Sequence, residues 1–312
     1  MDLFFDSIVN DHERRAAVYS GSILVYSPAP GALELCEFAQ TLIESAFQPY
    51  DPRTVHRQIA VEQCVEILAT LKPEFIHHPR SKQLIQEVLM ERGYDLETTY
   101  FDVPRLRTAF PSDYLASGIA YAFHPHRDTW YSAPLCQINY WLPVYEFCPA
   151  NGLAFHGQYW DSPVRNNSST YNYYEWNRTS RKNAANHIKT DTRIQPRPEM
   201  PLDPDPQTRL VVNAGGAIVF SAAQLHSTVP NTVGSIRYSI DFRIVNLDDL
   251  RNRQGAPNVD SACTGTTLRD YLKASDFSPI PEEVVSLYFD GTEAEFTPSP
   301  SGRPADAVTN TA

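Results

Sequence analysis

Apolar residues recur at helical spacing through the first third of the chain, then at a period of two through much of the rest. After Pro28, the residues Leu35, Phe38, Ala39, Leu42, Ile43 and Ala46 fall three and four apart, forming one stripe of a 3.6-residue period. Val61, Cys64, Val65, Leu68 and Leu71 repeat the pattern. Pro73 is expected to end that run, because a helix interior needs the amide that proline lacks. Leu84, Ile85, Val88 and Leu89 mark a third helix, with Ser81 as its expected N-cap and Gly93 as its C-terminal glycine. Residues 22–26, Ser-Ile-Leu-Val-Tyr, read as a short strand ahead of these helices.

Strand patterns follow, at 98–103, 118–123, 135–142, 152–155, 209–212, 217–220 and 236–245. The last is the clearest. Ile236, Tyr238, Ile240, Phe242 and Ile244 alternate with Arg237, Ser239, Asp241, Arg243 and Val245. Successive side chains of a strand point to opposite faces. One face is therefore apolar and packs on another layer, while the other is polar, as in the lining of a small ligand-holding barrel. Helices first and antiparallel-looking strands afterwards predict an α+β protein with a double-sheet barrel.

Regular patterning is lost over 157–207, which holds Tyr171, Tyr173, Tyr174 and Trp176 and then a run of prolines. So long a loop in a compact domain is a lid, a binding loop or disorder. The expected organisation is one domain over 1–296. It comprises a helical part (1–97), a barrel (98–250) interrupted by the lid-like insertion 157–207, and a C-terminal extension (251–296). The Pro-, Ser-, Thr- and Ala-rich stretch 297–312 reads as a disordered tail.

Composition narrows the class of partner. A net charge of −11 over 312 residues suits no general binder of nucleic-acid phosphates. No stretch approaches the roughly 20 apolar residues of a membrane span, and Met1-Asp2-Leu3-Phe4-Phe5-Asp6 lacks the basic start of a secretory signal. The five cysteines are widely spaced, without a C-x-x-C pair. A cytoplasmic protein with reduced thiols is expected. It would have a small-molecule substrate and no nucleic-acid or membrane partner; a homodimer is left open.

The chemistry concentrates in His126-Arg127-Asp128, His226 and Arg237. In extended backbone, residues two apart share a side, so His126 and Asp128 can reach one ion, and a distant histidine can complete the set. Two imidazoles and one carboxylate on one face of a metal leave its other positions open, the ligand set of non-haem Fe(II) oxygenases. An H-x-D triplet alone is common and fits a surface ion pair equally well. His124 shares a face with His126 and is its rival as a ligand. The context adds weight: His226 directly follows the strand pattern Ala217-Ile218-Val219-Phe220, and Arg237 stands 11 residues later on the polar face of the next strand.

With these motifs the chain resembles the phytanoyl-CoA dioxygenase-like branch of the Fe(II)/2-oxoglutarate oxygenases. The matching stretches are His126-Arg127-Asp128, Trp141-Leu142-Pro143, Asn151-Gly152-Leu153, His226-Ser227-Thr228-Val229-Pro230-Asn231 and Arg237-Tyr238-Ser239, within residues 98–246. The resemblance implies a double-stranded β-helix (a jelly-roll or cupin-like barrel) with the N-terminal helices packed on it. It implies Fe(II) on His126, Asp128 and His226, and 2-oxoglutarate with its far carboxylate on Arg237, assisted by Ser239. Gln137 and Asn139 are candidates to bond the cofactor or a metal ligand. O2 would be the second co-substrate, and oxidation of a substrate C–H bond, usually hydroxylation, the outcome. Desaturation, demethylation and rearrangement stay open. A carboxylate at position 128, where halogenases of the superfamily have a small residue, argues against halogenation.

Where the family usually shows P-G-S-H, this chain reads Phe155-His156-Gly157-Gln158 and then enters the insertion, so no substrate is carried over. Trp130, Tyr131, His156, Tyr173 and Trp176 are the candidate substrate contacts, with core packing the plain alternative. Bacterial relatives imply an amino-acid-derived or secondary-metabolite scaffold. The competing function is a catalytically silent, cupin-like metabolite binder. Such relics lose a ligand or the arginine, and this chain keeps all four groups.

Overall fold

The apolar stripes of the first third become helices that cover one face of a large sheet. A computed structural model describes residues 1–112, 114–115, 118–120, 124–180, 185–188, 190, 192–193 and 195–292. The chain opens with β1 (Leu3–Phe5), α1 (Asp11–Tyr19), β2 (Ile23–Tyr26), α2 (Pro30–Phe47), α3 (Val61–His77) and α4 (Pro79–Glu91). Then come β3 (Thr99–Asp102), β4 (Arg105–Ala109), β5 (Ile138–Pro143), β6 (Leu153–Phe155) and α5 (Tyr173–Thr179). The last part holds β7 (Thr208–Arg209), β8 (Ala217–Ser221), β9 (His226–Thr228), β10 (Arg237–Asn246), α6 (Leu247–Asn252), β11 (Tyr271–Lys273) and α7 (Glu282–Val285).

The eight-stranded sheet runs β1-β2-β8-β5-β10-β3-β11, with β4 also on β10, and a smaller sheet runs β7-β6-β9. β1 pairs with β2 in parallel; the other ladders are antiparallel. The architecture is thus α+β with a large, mainly antiparallel sheet. β10 is its axis. β5 lies along one edge of β10, from Pro143 opposite Ser239 to Ile138 opposite Ile244. β4 and then β3 share the other edge.

The two faces of β10 divide as their alternation predicts. Tyr238, Ile240, Phe242 and Ile244 join one buried cluster with Leu35, Ile43, Leu68 and Phe75 of the helices. Phe242 stacks on Tyr140 with ring centroids 4.8 Å apart and 10° between planes. Arg237, Ser239, Asp241 and Arg243 face a cavity instead. A second apolar cluster, including Trp141, Phe220, Leu153 and Phe155, joins strands of both sheets.

Several elements differ from their sequence reading. Pro73 does not end its helix: α3 continues to His77. Phe75, fully buried beyond the proline, holds the final turn against the core. Ser81 is not the cap of α4 but lies within it, and its hydroxyl donates to Phe75 O at 2.6 Å. His78 caps instead, its Nδ1 accepting from Arg80 N. Gly93 does take the left-handed conformation past the helix end, at φ 71°. Of the strand expected at 118–123, Gly118–Ala120 is a single 3-10 turn and 121–123 lie outside the described residues, as does the tail 297–312. α1 and β4 escaped the periodicity because polar residues share their inward positions with few apolar ones. α1 buries only Arg14 and Val18. In β4, Leu106 enters the core while Arg105 and Arg107 face the cavity.

If burial of Phe75 anchors the end of α3, Phe75→Ala should lower unfolding free energy by about 3–5 kcal/mol. Chemical denaturation followed by circular dichroism measures this. A loss near that of an exposed site would show that the turn is held by something else.

Candidate metal centre

Two chain segments meet edge to edge at the mouth of the sheet. His126 N donates to His226 O at 2.9 Å and His226 N to His126 O at 3.0 Å, an isolated antiparallel bridge. His226 begins β9, whereas the H-x-D segment belongs to no strand: Asp128 opens a short 3-10 turn, Asp128–Tyr131. The side-sharing expected of a strand survives because Arg127 between them is extended, at φ −108° and ψ 141°. His126 and Asp128 flank it and face the same way.

One ligand atom from each of His126, Asp128 and His226 lies within 4.8 Å of the others, a group that can hold a metal ion. Asp128 Oδ1 is 3.3 Å from His126 Nε2 and 3.9 Å from His226 Nε2. Each imidazole has its other nitrogen at a carbonyl: His126 Nδ1 lies 2.9 Å from His124 O, and His226 Nδ1 3.0 Å from Gln224 O. A carbonyl only accepts, so Nδ1 carries the proton and Nε2 keeps its lone pair for the ion. His124 is no rival ligand, since its Nε2 turns to Pro196 O at 2.8 Å.

The second carboxylate oxygen is occupied. Asp128 Oδ2 accepts from Asn139 Nδ2 at 3.0 Å and Gln137 Nε2 at 3.2 Å. Gln137 and Asn139, expected from the sequence to bond the cofactor or a metal ligand, both donate to the Asp128 carboxylate. Arg243, which sequence reasoning had only as a polar-face residue, brings Nε to 3.7 Å from the same oxygen. Burial raises the Asp128 pKa, but the His126 and His226 contacts and Asn139 outweigh it and hold it down at about 2. Burial also drives His226 down to about 4, with His126 adding to the shift and Asp128 opposing it. At neutral pH His226 is thus a neutral imidazole beside an ionised Asp128 carboxylate, the protonation states in which such groups bind metal.

Arg237 and Ser239 line the same cavity, of about 410 Å³. Arg237 is 6% exposed, and among the described residues its Nε and Nη1 have no hydrogen-bond partner; nor does Ser239 Oγ. The ion pair that Asp241 could have offered Arg237 is taken by Arg107, whose Nε is 2.6 Å from Asp241 Oδ1. Burial, partly offset by Asp241, lowers the Arg237 pKa to about 10, so the guanidinium stays charged. It lies over the Trp141 ring at 5.4 Å.

The candidate substrate residues separate. Tyr131, Tyr173 and Trp176 line the cavity. Trp130 does not: it is fully buried in a cluster with Val164 and Leu225. His156 also points away, its Nε2 3.0 Å from Ser227 Oγ and its Nδ1 3.3 Å from Pro204 O. Both are large or polar groups that the fold consumes internally. Arg127, the middle residue of the motif, is 1% exposed and wholly internal.

No family model and no curated protein matches the chain. Among solved structures it is similar to EvdO2 of Micromonospora carbonacea var. aurantiaca complexed with 2-oxoglutarate, at 13% identity and TM-score 0.44, over 76% of this chain and 91% of that one. It is also similar to AviO1 of Streptomyces viridochromogenes Tue57, at 15% identity and TM-score 0.35, over 78% of this chain and 97% of that one. A third is SnoN, a non-heme alpha ketoglutarate dependent epimerase from nogalamycin biosynthesis, at 13% identity and TM-score 0.36, over 75% and 82%. Likeness at this level leaves the chemistry to this chain's own side chains.

An imidazole held neutral by burial ties stability to pH. The His226 pKa is below its ordinary 6.5 in the folded state, at about 4, so the unfolded chain takes up the proton first as pH falls. Its contribution is complete above pH 6.5 and is lost as pH falls toward about 4. The metal-free protein should therefore lose thermal stability across that window, and His226→Gln should flatten the loss. An unchanged slope in calorimetry would count against a neutral, buried His226.

Proposed function

We propose that this chain is an Fe(II)/2-oxoglutarate-dependent oxygenase of the phytanoyl-CoA dioxygenase-like type, on a double-stranded β-helix. Its substrate in this reading is a polar small molecule, such as an amino-acid-derived or secondary-metabolite intermediate, oxidised at a C–H bond. The observation that carries the reading is the buried Arg237 guanidinium with two unpartnered nitrogens, beside an unpartnered Ser239 hydroxyl, in the cavity that also holds the His126-Asp128-His226 group. A buried cation without an anion is costly, and a dicarboxylate that chelates a metal at one end supplies the missing anion at the other.

In this reading each residue has a defined task. His126 and His226 would hold the ion through Nε2, and Asp128 through Oδ1. Asn139 and Gln137 hold Asp128 by its other oxygen, so it meets the ion through one atom. Arg237 offers a planar fork to the far carboxylate of 2-oxoglutarate, and Ser239 adds a hydroxyl donor. Tyr131, Tyr173 and Trp176 wall the space left for substrate and limit water there. Iron bound with 2-oxoglutarate supplies the O2 activation and oxidising power for C–H cleavage.

Anaerobic addition of Fe(II) and 2-oxoglutarate should give a visible charge-transfer band that needs both. His126→Ala or Asp128→Ala should abolish the band and 2-oxoglutarate turnover; succinate release by either variant would overturn the ligand assignment. Arg237→Ala should raise the 2-oxoglutarate requirement by about ten- to a hundred-fold, the equivalent of lost charge-assisted hydrogen bonds. An unchanged requirement would remove Arg237 from that role. Binding of 2-oxoglutarate without succinate release on any substrate would favour a silent metabolite binder. Mass spectrometry of a candidate library, read for gain of one oxygen or loss of hydrogen, tests the substrate class.

A further inference from the structure

His126 and Asp128 sit on a short irregular segment. Among the described residues, one bridge to His226 and one brief turn are its regular structure, with no ladder of its own to make it rigid. Rigid ligand geometry must then come from side chains packed behind it, and these belong largely to the chain that follows β10.

Asp260 lies behind the ligand segment with its side chain 5% exposed. Its Oδ2 accepts from Arg127 Nε at 3.0 Å and Val164 N at 2.9 Å, and its Oδ1 accepts from Trp130 Nε1 at 2.7 Å. Arg127 and Trp130 bracket Asp128 in sequence, so one buried carboxylate ties the backbone on both sides of the ligand. Arg127 also donates to Ala223 O at 2.5 Å, three residues before His226, and to Tyr159 O and Ser162 O at 2.5 and 3.1 Å. From the opposite side, Tyr271 OH donates to Gln137 Oε1 at 2.7 Å. That contact fixes the amide so that Nε2, not Oε1, meets Asp128 Oδ2 at 3.2 Å and Asn139 Oδ1 at 2.8 Å. A turned amide would set oxygen against a carboxylate.

We infer that Asp260 and Tyr271 are positioning residues of the metal centre, two jaws by which the chain beyond β10 holds Asp128 with Oδ1 toward both imidazoles. The inference rests on the metal-binding role proposed above for the His126-Asp128-His226 group. Loss of Asp260 leaves the Arg127 guanidinium buried without its counter-charge and frees the backbone at 127–130. Loss of the Tyr271 hydroxyl frees the Gln137 amide without touching the backbone.

The test uses the full chain, purified free of metal and titrated with Co(II) as an oxygen-insensitive probe. Amide hydrogen exchange over residues 124–133 is measured in the same metal-free protein. Asp260→Asn should weaken Co(II) binding by about ten- to a hundred-fold, the usual effect of losing a group that orients a ligand, and should speed exchange over 124–133. Tyr271→Phe should weaken binding and shift the visible Co(II) spectrum. Asp249→Asn should do neither, although Asp249 is also buried and bonded, to Arg15 and to Tyr19. Wild-type Co(II) affinity and spectrum in both Asp260→Asn and Tyr271→Phe would overturn the inference. If Asp260→Asn fails to fold, Tyr271→Phe decides by the same two readings. If the wild-type chain itself takes up no Co(II), the proposed function fails, and exchange over 124–133 decides for the clamp by itself: wild-type exchange in Asp260→Asn overturns it.

Discussion

A carboxylate in a buried setting must be given partners, and the partners given to Asp128 settle which of its oxygens is available. Two side-chain amides, Asn139 and Gln137, saturate Oδ2. Oδ1 is left facing the Nε2 atoms of His126 and His226, whose own orientation is set by carbonyls at Nδ1. These contacts leave one ligand atom of each residue free to face the others, all within 4.8 Å. Burial alone would raise the carboxylate's pKa; its neighbours outweigh that and hold it down.

The same economy of polar groups runs along β10. A strand that carries Arg237, Ser239, Asp241 and Arg243 on an inward face can be stable only if those groups are paired or await an anion. Asp102 answers Arg243 through both a backbone amide and a guanidinium contact, and also receives Arg105. Asp241 answers Arg107. Among the described residues, Arg237 and Ser239 are the members of this face left with open donors. The opposite face of the strand is apolar: Phe242 stacks on Tyr140 of the neighbouring β5, and both join the buried cluster formed with the helices. One strand thus divides a dry hydrophobic core from a charged cavity, and the cavity wall is rigid because the core behind it is packed.

The insertion and the chain beyond β10 are joined at this wall. Tyr173 donates its hydroxyl to Asp270, and its amide donates to Thr264 O at 3.2 Å. Ser132, just after the ligand turn, also reaches Thr264 O, at 2.6 Å. Segments that look featureless in sequence therefore build the surroundings of the candidate site, through bonds spanning about a hundred residues of chain.

The sequence alone specified whatever depends on local period and residue chemistry. The stripes of α2 and α4, the alternation of β10, and the types and order of His126, Asp128, His226 and Arg237 are all legible there, because each follows from spacing along one element. Pro73 and Ser81 misled for the complementary reason: propensity describes an isolated helix, whereas the burial of Phe75 and its bond to Ser81 belong to the packed one. Only the tertiary structure decided that Trp130 and His156 turn inward, that Gln137 and Asn139 serve Asp128, and that Arg127 answers Asp260, which lies 133 residues away. No periodicity encodes such pairs; they exist because a buried charge or amide must find its partner wherever the folded chain brings one within reach.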